Sequence, residues 1–585
     1  MDFVIYLSMM NRILKHICIL IIFSGLLFSQ RLITEVNKFD KLKIEYDAIS
    51  SNKITNDLFF SPYIQKKPSN KIVSLGYKHY FQIEPTFALR LSNHSFEMFS
   101  KSIIWDQDNE FAETVLNNEV NKSMLWISPG IKIHSTIPIF RDYTNIWMYN
   151  WSTFYKHSAY GFGGLQSWVD KDTPLFSYNN EYSIEYYEPT QSPDNGLDFD
   201  EGQSGISLLS NNFELILGKF QTNIGPFYSG NLSISDNSPS FTQFLAKVNF
   251  DNKIYFSYLL GSLTSYLGKS KEAYIYMDQW DEQFPSGLYG DYISDISEPM
   301  VNRYVVNHRF DFLPNENFRI GLYEQIIFGG DSFPLSYLIP LNPLFSAQHA
   351  TNDQDNLQIG LDLDYINNNN RFSFALMMDE WALYDTFKKT ERNWFAYQLG
   401  YSRLLSLFDI KTLVKIEYSY VDPGAYTHRF IINEPKHHGY NLGYWSDSNS
   451  DDFTFNTTLF LKNNSILLFE YKYTRFGKGN ELDLLEQQYT NELGVDHLGE
   501  GYTSKNDLSI MFSKLLKNNL FIDLEYSRLN YINKIYFIST MSNYHLFLLP
   551  LSANSIIDGT ANHIYEFSSE KIHDVRIKLR YNISK

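Results

Sequence analysis

The run Leu357-Gln358-Ile359-Gly360-Leu361-Asp362-Leu363-Asp364-Tyr365 places its leucines, Ile359 and Tyr365 on one side of an extended chain. Gln358, Gly360 and the two aspartates fall on the other, because successive side chains of a strand point to opposite faces. Asn367 to Asn370 then supply residues that tolerate a tight reversal. The same alternation recurs along the chain. Val414, Ile416, Tyr418 and Tyr420 oppose Lys415, Glu417 and Ser419, and Leu467, Phe469, Tyr471 and Tyr473 oppose Leu468, Glu470, Lys472 and Thr474. Near the C-terminus Val575, Ile577, Leu579 and Tyr581 oppose Asp574, Arg576, Lys578 and Arg580. Segments of about ten residues with one greasy and one polar face are the length a tilted strand needs to cross a bilayer.

Short Asn-rich turns recur between such runs, at Asp251-Asn252, Asn315 to Asn317, Asn367 to Asn370, Asn463-Asn464 and Asn518-Asn519. Longer polar stretches lie between them, as at Lys269 to Ser297, Asp422 to Asp452 and Lys478 to Asn506. Tight turns at one end and long loops at the other describe an outer-membrane barrel better than a soluble sandwich or propeller. The expected fold is all-β, a large antiparallel transmembrane barrel of roughly 16 to 20 strands with 18 favoured.

Composition agrees. Aromatic residues make up 17% of the 585-residue chain while mean hydropathy stays at -0.29, the mixture of strands that are apolar on one side only. The net charge of -17 argues against a nucleic-acid partner and means that an acidic polysaccharide would be held only by local basic or aromatic patches. Arg12, Lys15 and His16 precede an apolar run from Ile17 to Phe28 with Ser29 at a suitable cleavage position, which reads as a Sec signal peptide over residues 1–29, with translation starting at Met1 or Met10. The run is too short for a membrane-spanning helix, and no long apolar stretch follows it. Cys18, the one cysteine, lies inside it, so the mature chain would have neither disulfides nor a cysteine metal site.

Two regions break the pattern. Between Arg31 and Pro68 the spacing of Val36, Phe39, Leu42, Ile44, Tyr46 and Ile49 suits short amphipathic helices, so residues 30–68 are expected to form a small periplasmic element ahead of a barrel over residues 69–585. In Phe318, Ile320, Leu322, Glu324, Ile326 and Phe328 a carboxylate falls on the apolar face. Either a β-bulge near Glu324 turns it inward or it lies beyond the hydrocarbon band, because a mid-bilayer charge costs a few kcal/mol. The opposite faces carry charges of both signs: Arg303, Arg309, Arg319, Asp362, Asp364, Lys415, Glu417, Glu470, Lys472, Asp523 and Glu525. Paired, these would rigidify a filled lumen; unpaired, they would line a wet pore.

Motifs for catalysis are missing: there is no Gly-x-Ser-x-Gly elbow, no His-Glu-x-x-His and no phosphate-binding glycine loop. His437-His438 reads as a surface feature of a loop rather than a metal site. The Asp447 to Asp452 stretch lacks the glycine and terminal glutamate of a calcium loop, and a solvated turn is expected there. No cofactor is implied. Tyr274, Tyr276, Trp280, Tyr444 and Trp445 suit stacking on sugar rings, as well as the aromatic girdle that any such barrel carries.

Several runs, in order, resemble the Wzi family of capsule assembly proteins. They are Gly218-Lys219-Phe220, Asn223-Ile224-Gly225-Pro226, Leu232-Ser233-Ile234-Ser235, Asn302-Arg303-Tyr304-Val305-Val306-Asn307-His308-Arg309, the Tyr323-Glu324 pair, Tyr337-Leu338-Ile339-Pro340-Leu341-Asn342-Pro343 and Asp379-Glu380-Trp381. Asp57 to Lys67, with Ser61-Pro62-Tyr63, is similar to that family's segment ahead of the barrel. The resemblance implies a barrel sealed at its periplasmic end by a small helical element, binding capsular polysaccharide or exopolysaccharide at its outer loops without turnover. Outer-membrane lipid, lipopolysaccharide and the barrel-assembly machinery are the further expected partners. Arg303, Glu324, Asp379 and Trp381 are the family-motif candidates, with Trp280 and Trp445 as candidate glycan contacts. A porin or solute channel is the alternative, and an outer-membrane enzyme the second alternative.

Overall fold

The computed structural model describes residues 31–33, 38–65, 80–93, 124–141, 146–162, 187–189, 196–210, 212–263, 302–329, 334–349, 355–381, 393–428, 431–437, 440–477, 496–499, 501–516, 519–538 and 563–584. Eighteen strands form a closed antiparallel barrel. In order they are β1 (Tyr80–Ser92), β2 (Met124–Arg141), β3 (Trp147–Phe162), β4 (Gly196–Leu209), β5 (Phe213–Phe220), β6 (Phe241–Phe250), β7 (Ile254–Leu263), β8 (Arg303–Asn315) and β9 (Phe318–Gly329). The second half comprises β10 (Asn356–Asn367), β11 (Asn370–Trp381), β12 (Asn393–Leu407), β13 (Ile410–Val421), β14 (Ser450–Leu461), β15 (Ser465–Gly477), β16 (Tyr502–Leu515), β17 (Leu520–Ile538) and β18 (His563–Tyr581). Neighbours in sequence are neighbours in space, and β18 closes the wall on β1 with Val575 opposite Leu91. Closure removes the sheet edges that a bilayer would not tolerate.

The alternation read from the sequence holds in the wall. Along β10, Gln358, Gly360, Asp362 and Asp364 are buried, while Leu357, Ile359, Leu361 and Leu363 are partly exposed on the outer face. Outer-face residues such as Leu322, Leu399, Phe455, Phe469 and Leu524 stay exposed, as expected of a lipid-facing band. The Asn-rich turns fall at one end of the barrel with paired left-handed residues, Asp251 and Asn252 at φ 54° and 57° and Asn368 and Asn369 at 48° and 64°. Type I′ hairpins require this conformation, and asparagine bears it at low cost. Phe408 and Asp409 do the same at φ 50° and 62° without an asparagine to announce it.

Two expectations change and a third is met. The ladder runs unbroken through Glu324, opposite His308 on one side and Ile359 on the other, so the bulge expected there is absent and the carboxylate stays on the outer face. A register shift occurs instead in β11, between Met378 and Glu380. The expected N-terminal helical element is present as one helix, α1 (Lys38–Ser51), ahead of the first strand in sequence and packed inside the barrel mouth. Phe39, Leu42, Glu45, Ala48 and Ile49 form its buried face at helical spacing. Asn52, at φ 54°, ends it in the left-handed conformation. Ile54 donates its N–H to the Glu316 carbonyl at 2.7 Å, and Tyr46 lies 4.5 Å from the Phe460 ring, both at the tight-turn end of the wall. The long stretch from Asp422 to Asp452, expected as an external loop, folds inward, and Asp451-Asp452 already belong to β14. Residues 1–29, Lys269 to Ser297, Tyr274, Tyr276 and Trp280 lie outside the described residues.

Leu361→Arg puts a charge on the lipid face in the middle of β10. It is expected to cost about 2–4 kcal/mol if that position lies near the bilayer midplane, read as a loss of folded, heat-modifiable barrel after urea titration in lipid vesicles, whereas Asn368→Arg in the turn leaves the midpoint unchanged.

Candidate functional site

Among the described residues, three segments occupy the lumen, stacked from the tight-turn end outward. The innermost is α1 with residues 52–65. Its Glu45 carboxylate meets the Arg371 guanidinium at 2.9 Å, the Lys415 ammonium and the Ser402 hydroxyl at 2.7 Å. Lys38 pairs with Glu470 of β15 at 2.9 Å. Burial opposes the charge on Glu45, but Lys415 and Arg371 overcome it and hold the carboxyl down at about 2. The wall supplies its own pairs beneath Phe59: Arg309 bridges Asp311 and Asp362 at 2.6 and 2.8 Å, and Arg319 completes a buried quartet under the Phe59 ring, 4.1 Å from its centre.

The second segment, residues 221–240 between β5 and β6, turns into the lumen instead of outward. Asn223-Ile224 pairs with Phe60-Ser61, and Gly225 donates its N–H to the Phe59 carbonyl at 2.8 Å. Gly225 has φ 136°, and the Asn231 amide packs where a Cβ would stand, so only glycine fits. The Tyr228 and Ser229 N–H groups donate to Glu417 at 3.0 and 2.8 Å, and the Tyr228 hydroxyl donates to Glu470 at 2.7 Å. Burial and these two carboxylates push the phenol well above its usual range, which keeps it a donor. Arg371 donates to the Pro226 carbonyl at 2.7 Å and Gln398 to that of Gly230 at 2.9 Å. A cavity of about 40 Å³ lies against Glu45, Phe59, Tyr228, Arg371 and Lys415, room for ordered water but not for a sugar.

The third segment, residues 422–449 between β13 and β14, caps the second. The Tyr426 hydroxyl donates to the Leu232 carbonyl at 2.7 Å and accepts from the Tyr444 N–H at 3.1 Å; Tyr444 donates in turn to Asp452 at 2.8 Å. Asn237 reaches the Asn441 carbonyl at 2.9 Å. Asp447 and Asp452 are buried acceptors, the first from Asn441 and the second from Tyr444, Thr454 and Thr474, so the expected solvated turn is a bonded interior. His437 is likewise buried, edge-on to the Phe241 ring at 5.7 Å, and not a surface residue. His438 lies outside the described residues.

The structure brings three of the sequence candidates together at this cap. Arg303 opens β8 and gives its guanidinium to the carbonyls of Ile432, Glu434 and Lys436, the last at 2.9 Å. Asp379, raised into the register shift of β11, accepts from the Tyr426 N–H at 2.5 Å and from Gln358 at 3.2 Å. Trp445 belongs to the cap itself, partly buried, with Phe476 edge-on at 5.8 Å and the Lys505 ammonium 5.5 Å from its ring centre. Glu324 is separated from all of these by the wall. Trp381 ends β11 opposite Asn393, and its side chain, like the whole of Trp280, lies outside the described residues. Glu45, Tyr228 and Tyr426 were not singled out as site residues by sequence, and Tyr444, read there as a sugar-stacking ring, is instead fully buried. The available signal was the scarcity of charge between Gln221 and Ser240, where Asp236 is the one ionic residue.

A closed barrel with an apolar outer wall and a lumen packed by its own chain is an outer-membrane protein built as a filled cylinder. The chain belongs to the Wzi family: the model of the capsule assembly protein Wzi matches residues 142–534, well over half of its length. Among solved structures it is similar to Wzi of Escherichia coli, described as an outer-membrane protein involved in group 1 capsule assembly and a carbohydrate-binding β-barrel, with 12% identity and TM-score 0.43 over 85% of this chain and 83% of that one. OpdQ of Pseudomonas aeruginosa follows with 8% identity and TM-score 0.41 over 86% and 99%, and OccAB4 of Acinetobacter baumannii with 8% and 0.41 over 87% and 98%. No curated protein sequence matches.

Arg303→Met leaves three buried carbonyls without their donor, and each orphaned group costs about 1–3 kcal/mol. The expected outcome is a barrel that still resists urea but is cleaved by external protease between residues 422 and 449. Glu45 predicts a pH response. Its folded value lies below the usual 4.5, so its stabilisation is present above pH 4.5 and is lost as pH falls toward about 2. Fluorescence of a probe on α1 should report undocking in that window, and Glu45→Gln should weaken docking at neutral pH and remove Glu45's share of the acid response.

Proposed function

We propose that this protein is a non-catalytic binding protein of the outer membrane that attaches or organises capsular polysaccharide or exopolysaccharide at the cell surface. The observation that carries the reading is the packing of α1, residues 221–240 and residues 422–449 into the lumen by buried ion pairs and hydrogen bonds, which favours a sealed body over a solute conduit. Binding then falls to the outer mouth. There the cap offers the partly buried Trp445 ring, held beside the buried Lys505 ammonium, as an apolar face for a sugar. Arg303 and Asp379 act in this reading by holding the cap, while Trp280 and Trp381 add stacking faces. Export uses the signal at residues 1–29, insertion uses the barrel-assembly machinery, and lipopolysaccharide surrounds the outer half of the wall.

Purified protein in a planar bilayer is expected to be electrically silent, and to bind the host's surface polysaccharide in a pull-down that Trp445→Ala weakens by several-fold without unfolding the barrel. Sustained ohmic current with no polysaccharide retention would replace this reading with a channel.

A further inference from the structure

Between β9 and β10 the chain does not stay above the barrel. Residues Pro334 to His349 fold back over the outside of the wall, as a short 3-10 turn (Leu335–Leu338) and a helix, α2 (Leu344–His349). Phe256, Tyr258, Val306, Ile326 and Phe328 all point outward, yet they are buried because Tyr337, Leu344 and Ala347 lie on them. The Tyr258 hydroxyl donates to the Tyr337 carbonyl at 3.1 Å. Glu324, the carboxylate that parity left on the apolar face, accepts the Leu344 N–H at 2.6 Å. At ~3.3 Å per residue along a strand tilted by ~40°, Glu324 stands roughly 15 Å from the turn before β9, about mid-height in an apolar band ~25 Å tall.

The outer surface of this strap is apolar. Leu335 is 73% exposed, Leu341 70%, Ile339 56% and Phe345 52%, and the surface continues the lipid band through Leu322 at 53%. From Pro334 to His349 there is no Asp, Glu, Lys or Arg, in a chain that is 20% charged. Its backbone is also suited to hydrocarbon, where an unbonded N–H is costly. Pro334, Pro340 and Pro343 have no N–H to satisfy, and Tyr337, Ile339, Asn342 and Ala347 donate theirs within the segment. The Asn342 side chain caps the Ser336 carbonyl at 3.2 Å.

We propose that residues 334–349 are a membrane-inserted strap, packed on the barrel wall with its leucines and Phe345 in contact with the acyl chains of the outer leaflet. It takes the place of lipid over Glu324 and His308, so that the wall can carry a carboxylate at that height. The occupant is lipid rather than a protein because the exposed surface is continuous with the lipid-facing band and carries no ionic group for a protein partner to read.

The test uses the full chain with Cys18→Ser, reconstituted in vesicles and nitroxide-labelled at Leu341→Cys or, separately, Leu335→Cys. Leu322→Cys serves as the lipid reference and Asn368→Cys as the water reference. Both strap labels are expected to collide with oxygen several-fold more than with a water-soluble nickel chelate, matching Leu322. Nickel collision equal to that at Asn368 overturns the proposal, since the strap would then lie in water. Labels shielded from both reagents, with dipolar coupling between copies, also overturn it and assign the surface to a second copy of the chain.

Discussion

The carboxylate of Glu45 stands inside the barrel between a lysine of β13 and an arginine of β11, and the rest of the interior is arranged around that meeting. Without it Arg371 would keep only Asp364 and Lys415 only Glu417 as counter-charges, and Glu45 would be stranded without the two cations. Removing one partner of a buried pair costs about 3–5 kcal/mol, because the survivor is left uncompensated. The pairs therefore fix where α1 sits more than they add net stability. Arg371 also bonds Asp364 and the Pro226 carbonyl, so one guanidinium joins the wall, the plug and the inward loop.

The same logic continues outward. Glu417 accepts two backbone N–H groups of the loop, Gln325 links Gln358 to the Ser233 carbonyl, and Asp379 passes the network on to the cap through Tyr426. Lumen charges on this side of the barrel are spent on the chain's own segments and not on solvent.

The wall and the lumen solve opposite problems at the same strand. In β9, Arg319 and Tyr323 face an interior crowded with polar partners, while Glu324 faces the exterior and is bonded by a segment that returns for it. A carboxylate on the lipid side is tolerated when its negative charge is met by a backbone N–H and shielded by leucines, and the strap supplies both.

Much of the wall was legible from the residues alone. The faces of β10, β13, β15 and β18, and the hairpins at Asp251, Asn368 and Asn463, follow from a two-residue period and from the few residue types that accept a left-handed turn, both local properties. Parity also marked Glu324 as outward, although the bulge offered as one of two explanations does not occur, because the charge is answered by residues after the strand and not by the strand's own geometry. What filled the lumen was decided only in three dimensions. Ser402 meets Glu45 across 357 residues of sequence, and nothing in a strand's periodicity says which distant segment will bring a counter-charge. The loop at 422–449 looks external by length and polarity, yet it and residues 221–240 are interior. Apart from the low charge of residues 221–240, little in composition separates a buried polar segment from a solvated one, and what decides is whether the fold provides partners for their hydrogen bonds.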